Sequence, residues 1–131
     1  MTLNDLHSIL FNAHILYSVA LGVWAALMAS RDESISGNFW GAIATSAILA
    51  GVVLLIGIIM TAQGLRPQRV VIYYLYMAFL IVIMPGLFTM LRGRDDRSAA
   101  IAFTILAFFN ATTSFSMLQR GIVGPWLPDV F

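Results

Sequence analysis

The chain has no lysine and no cysteine, and charge is scarce throughout: 10% of its 131 residues are charged, against 60% that are hydrophobic. Without cysteine there are no disulfides, no zinc–thiolate sites and no cysteine-ligated iron–sulfur clusters. The formal net charge is +1, with no basic cluster, which excludes a nucleic-acid partner, because phosphate binding needs a concentrated positive field. The opening stretch MTLNDLHSIL carries Asp5 and no basic residue, so no cleavable signal is expected, and the first apolar run should act as its own insertion signal. Inside the apolar runs there is no Asp, Glu or Arg. Ion-coupled pumps and transporters use such groups as relays, and the small multidrug exporters keep a carboxylate in their first helix.

What remains is length and apolarity. Four runs without Asp, Glu or Arg stand out, at 6–30, 39–63, 70–91 and 99–119. Each reaches roughly twenty residues, enough to cross a ~30 Å hydrocarbon core at ~1.5 Å per residue. No short alternating segments suggest a transmembrane barrel. The links RDESISGN, GLRPQR and RGRDDRS are short and polar. Short links make sequential antiparallel neighbours, so the expected fold is all-α: one domain, 1–131, of four transmembrane helices in an up-down-up-down bundle. Asn38 is expected to cap the second helix, Gly64 to end it, and Pro67 to bar its continuation. Pro85 should kink the third helix. Residues 120–131 are apolar but carry two prolines, Pro125 and Pro128, and form a tail rather than a fifth helix, laid along the membrane surface or against another chain. Arg66, Arg69 and Arg120 fall on one side and Arg31, Arg92, Arg94 and Arg97 on the other, which leaves the orientation open. Trp24, Trp40 and Trp126, with Tyr73, Tyr74 and Tyr76, fall near helix ends, where amphipathic rings settle at headgroup level.

Both histidines lie on the first run, His7 and His14. Seven residues apart, they share a helical face to about 20°, and that face continues through Phe11, Ser18, Gly22, Ala25 and Ala29. Ser18, Gly22, Ala26 and Ser30 also form a small-xxx-small ladder, the pattern by which membrane helices approach closely. The histidines are therefore on a packing face. Their separation, roughly 10 Å along the axis, rules out a shared mononuclear metal. No other run offers a histidine for a bis-histidine haem; a His–Met haem b, a quinone or a chlorophyll-type magnesium on His14, and more remotely on His7, stays open beside the plain packing role. Asn110, near the middle of the last run, is flanked by Thr113 and Ser114. An amide facing lipid is costly, so this face should turn inward. At matched depth, His14 is expected to bond to Asn110, Thr113 or Ser114, joining the first helix to the fourth. Asn12 lies on an otherwise lipid-like face. Asp95 and Asp96 sit among arginines and read as a self-neutralised loop. Serines are present, but no motif pairs one with a base.

The segment LHSILFNAHILYSVALGVWA, the stretch SGNFWGA and the loop GRDDR resemble small four-helix accessory subunits of bacterial electron-transport complexes, of the alternative complex III type. That resemblance implies a non-catalytic subunit of the inner membrane, without a cofactor of its own, contacting the lipid bilayer and other integral membrane subunits of a hetero-oligomeric complex. Two further readings stay beside it: an electron-transfer subunit holding haem, quinone or chlorophyll through His14, and a small transporter or channel.

Overall fold

A computed structural model describes residues 2–66, 69–92, 94–119 and 127–128. It contains four helices, α1 (Leu3–Ser30), α2 (Gly37–Ala62), α3 (Val70–Met90) and α4 (Arg97–Gln119). All four are long and apolar enough to cross a membrane, and the chain is a multi-pass membrane protein built as a four-helix bundle. A two-residue antiparallel bridge joins β1 (Leu65–Arg66) to β2 (Leu127–Pro128), which ties this part of the tail to the α2–α3 link. Pro67, Trp126, Arg120 and the rest of the expected tail lie outside the described residues.

The ends are set by local chemistry. α1 starts earlier than its apolar run, because Thr2 and Asp5 form a reciprocal capping box. α2 is capped by Ser36, whose Oγ accepts from the Phe39 amide at 3.3 Å. Asn38, expected in that role, is already inside the helix: the hydroxyl that precedes the first turn is the one able to reach its free amides. Asp96 accepts from the Ala99 amide at 3.0 Å and so starts α4. At the other ends, the residue just past each C-cap adopts positive φ: Asp32 at 52°, Gly64 at 91° and Arg92 at 55°. After α1 the motif is complete, since Glu33 donates to the Met28 carbonyl at 2.9 Å and Asp32 to that of Ala29 at 3.2 Å. Pro85 sits within α3, which runs on to Met90.

Each helix buries residues at alternating steps of three and four. On α1 these are His7, Phe11, His14, Ser18, Leu21, Ala25 and Met28; on α4 they are Ala100, Phe103, Ala107, Asn110, Ser114 and Met117. α2 repeats the pattern through Phe39, Ile43, Ser46, Ala50, Val53, Gly57 and Met60, and α3 through Tyr73, Met77, Leu80 and Met84. This is the spacing of a left-handed helical bundle. α1 and α4 make the most extensive contact and α3 and α4 the least of the neighbouring pairs. Two contacts fix the α1–α4 register. Arg97 Nε donates to the Ala29 carbonyl at 2.9 Å, capping α1 from another helix. The Phe108 ring covers Gly22 so closely that a Cβ there would lie 2.9 Å from it. In that antiparallel register Met28 is level with Ala100, Ala25 with Phe103, Leu21 with Ala107, Ser18 with Asn110, His14 with Ser114 and Phe11 with Met117. The small-residue ladder is shared unevenly: Ser18 and Gly22 are buried, Ala26 is half-buried and Ser30 is exposed.

A branched side chain at position 22 must displace the Phe108 ring. Gly22→Val is expected to destabilise the bundle by about 1–3 kcal/mol. Phe108→Ala in the same chain should recover part of that loss, as read by SDS-induced unfolding in detergent. At the loop end, the hydrogen bond from Arg94 and then the Ala99 amide hold the Asp96 carboxyl below its usual range. A depressed carboxylate stabilises above its unfolded pKa, and that contribution is lost as pH falls through the lower folded value. Exchange protection of the first turn of α4 should therefore fall on acidification below about pH 4, and Asp96→Asn should flatten that dependence.

Candidate functional site: a buried polar layer

The apolar core is two clusters rather than one. The first gathers around Phe11, Val53, Met60, Tyr73, Met77 and Met117. The second gathers around Leu21, Ala25, Phe39, Ile43, Phe103 and Ala107. Between them along the helices lie buried polar residues that belong to neither: His14 and Ser18 on α1, Ser46 on α2, and Asn110 and Ser114 on α4. The helical register requires this arrangement. On α1 the polar pair falls between Phe11 and Leu21; on α2, Ser46 falls between Ile43 and Ala50; on α4 the polar pair falls between Ala107 and Met117. With these helices antiparallel to α1, the interruptions share one level, close to the middle of the spans.

Within that layer His14 Nε2, Ser18 Oγ, Ser114 Oγ and both polar atoms of the Asn110 side chain are buried without a hydrogen-bond partner. The bond expected from His14 to Asn110, Thr113 or Ser114 is therefore not made through Nε2, although the register brings His14 level with Ser114. Thr113 is only half-buried and faces away from the layer, towards α3. Five polar atoms shielded from water and unpaired cost free energy that a purely apolar layer would not, so the layer has the character of a hydrogen-bonding site for small polar groups. The unpaired groups are one imidazole, two hydroxyls and one amide. Among the described residues no group of three or more His, Cys, Asp or Glu side chains converges.

The second histidine has a different place. His7 is buried, and its Nε2 is hydrogen-bonded to the Tyr73 hydroxyl on α3. The ring also stacks near Phe11, with centroids 6.5 Å apart. Tyr73, expected at the membrane border, is instead wholly buried. The reason is depth: His7 and Tyr73 both lie one turn into parallel helices, α1 and α3, so the phenol meets the imidazole before it meets water. That shared depth was present in the sequence, but the border preference of tyrosine points the other way. Tyr74 follows a related path, its hydroxyl bonding to Thr61 Oγ1 on α2, while Tyr17 donates to the Ala42 carbonyl at 2.9 Å. Trp24 and Trp40 are half-buried, packed edge-on against Phe39. Asn12 is exposed and donates to its own helix, at the Ser8 carbonyl 2.9 Å away.

Comparison with protein-family models, with curated proteins and with solved structures gives no match. The geometry itself separates two kinds of polar side chain. Tyr73→Phe deletes an interhelical hydrogen bond and is expected to cost about 1 kcal/mol of bundle stability. Asn110→Leu removes two unpaired polar atoms and is expected to leave stability unchanged or raised, with the polar layer lost. Equilibrium unfolding of both variants in one detergent checks the contrast; equal losses would mean that Asn110 is a bonded packing residue after all.

Proposed function

We propose that this chain is a non-catalytic accessory subunit of a larger bacterial electron-transport complex in the inner membrane, of the quinol-oxidising kind, which it stabilises by helix packing. The sequence resemblance in LHSILFNAHILYSVALGVWA, SGNFWGA and GRDDR supplies the class of complex. One structural observation supports the packing role: polar side chains of several helices are spent on joining the chain's own helices. His7 bonds to Tyr73, Tyr74 to Thr61 and Tyr17 to the α2 backbone, and Arg97 closes the end of α1. The outward faces offer hydrocarbon, with Leu16, Ile48, Val71, Leu75, Ile105 and Phe115 each more than half exposed. Such faces suit lipid and the apolar helices of neighbouring subunits alike.

A second reading rests on a separate observation, the unpaired Nε2 of buried His14. Ser18, Asn110 and Ser114 beside it are hydrogen-bonding groups, which fits a quinone carbonyl better than the axial site of a haem or chlorophyll. A macrocycle also needs a wide slot, and the closure of Phe108 on Gly22, about two turns from His14, leaves α1 and α4 in direct contact. Quinone binding here would use the Asn110 amide and the serine hydroxyls as donors and His14 as a positioning group.

Membranes solubilised in mild detergent and resolved by native electrophoresis distinguish the readings. The chain is expected in a band with other membrane subunits, and its deletion is expected to shift that complex to a smaller or less stable form. Migration alone, with no complex altered by its deletion, rules out the accessory role. Quinone extracted with the isolated chain, and lost in His14→Ala, would favour the second reading.

A further inference from the structure

The loosest seam of the bundle has a shape of its own. Between α3 and α4 lies a groove of about 700 Å³, bounded by Arg69, Tyr76, Phe79, Phe109, Thr113 and Ser116. It runs from the first residue before α3 to the middle of that helix, and from near the end of α4 back to its middle. Ten residues of helix separate Arg69 from Phe79, roughly 15 Å at ~1.5 Å per residue. That is half of a ~30 Å hydrocarbon core, one leaflet. At the inner end the rings of Phe79 and Phe109 meet edge to face, 6.0 Å apart, and floor the groove near mid-membrane. At the outer end Arg69 is exposed at the membrane boundary, and no carboxylate among the described residues pairs with it. The wall between is mixed: Ile72 and Leu75 on the α3 side, and the hydroxyl-bearing Thr112, Thr113 and Ser116 on α4. Thr112 returns its own proton to the Phe108 carbonyl at 2.9 Å, which leaves Thr113 and Ser116 as the α4 hydroxyls lining the groove, with Tyr76 on the α3 side.

We infer that this groove holds one anionic phospholipid, its phosphate against Arg69 and the Thr113 and Ser116 hydroxyls below it, and one acyl chain laid down to Phe79 and Phe109. The length selects the occupant. A transmembrane helix from another subunit would need a groove running the full height of α3 and α4, and this one stops at the rings. The charge selects the headgroup, because the cation stands at the one level where a lipid phosphate is found. At the opposite end of the bundle Arg94 is paired with Asp96 at 2.8 Å, and Arg97 is committed to the α1 terminus. The inference stands apart from the identity of any complex, since it uses only the chain and its bilayer.

The test is native mass spectrometry of the purified full chain in detergent, titrated with dioleoyl-phosphatidylglycerol or dioleoyl-phosphatidylcholine. The expected result is one retained phosphatidylglycerol, held in preference to phosphatidylcholine. Arg69→Gln should weaken that preference about five-fold, the worth of one cation at an anionic headgroup, whereas Arg69→Lys should keep most of it. Thr113→Trp, which fills the groove, should reduce retention of both lipids, and Arg94→Gln at the far end should change nothing. Circular dichroism on each variant confirms that the helices are intact. Equal retention of the two lipids by the unaltered chain overturns the inference, and so does a preference that survives both Arg69→Gln and Thr113→Trp. Displacement of phosphatidylglycerol by a neutral short-chain quinone at equal concentration would also overturn it, by assigning the groove to a different amphiphile.

Discussion

The close approach of α1 to α4 is the constraint on which the other packing depends. In a bilayer there is no hydrophobic gain in bringing two apolar helices together, because lipid tails are as apolar as leucine; dispersion contact must supply the attraction. Contact area is gained by backbone proximity, and proximity needs small side chains. Gly22 beneath the Phe108 ring, with Ser18 and Ala25 on α1 and Ala100, Ala107 and Ala111 on α4, supplies it. Once these two helices are fixed in register by Arg97 on the Ala29 carbonyl, α2 packs along α1 and α3 along α2. The α3–α4 seam closes least, and it is there that the groove forms.

Buried polar groups inside the bundle are of two kinds. Near the helix ends, His7 with Tyr73 and Thr61 with Tyr74 are paired across helices. At the middle, His14, Ser18, Asn110 and Ser114 carry unpaired atoms. The two arrangements have opposite energetic signs. Paired groups hold helices in register for a fraction of a kcal/mol to about 2 kcal/mol each. Unpaired groups at mid-membrane weaken the bundle, since each forgoes hydrogen bonds that water would supply. The layer also lies between the two apolar clusters of the core.

The loop end between α1–α2 and α3–α4 shows how little charge is needed to finish such a fold. Ile35 donates to the Asp95 carbonyl at 2.9 Å, tying the two links together. Asp96 caps α4 while held by Arg94, and Arg97 caps α1. The GRDDR segment, which reads as a solvated loop by charge alone, therefore terminates two helices. Its charges are used as hydrogen-bonding groups on orphan backbone atoms, where they are worth more than as exposed ion pairs.

Composition and run length were enough to determine four spans, their order and their antiparallel sense, because a backbone in hydrocarbon must form helices or a closed barrel, long unbroken apolar runs suit only the helix, and short links favour sequential packing. The inward face of α1 was legible as well, since small residues and histidines at helical spacing cannot profitably face lipid. Tertiary structure alone decided the rest. Tyr73 went inside because His7 lay at the same depth on a parallel helix, a match between residues 66 apart in the chain. Ser46 joined Ser18 and Asn110 in one layer because three registers coincide, and no single helix records that coincidence. The groove beside Arg69 exists because α3 and α4 are held more by their other neighbours than by each other. Periodicity along one helix says which face is buried; only the packed bundle says what that face meets.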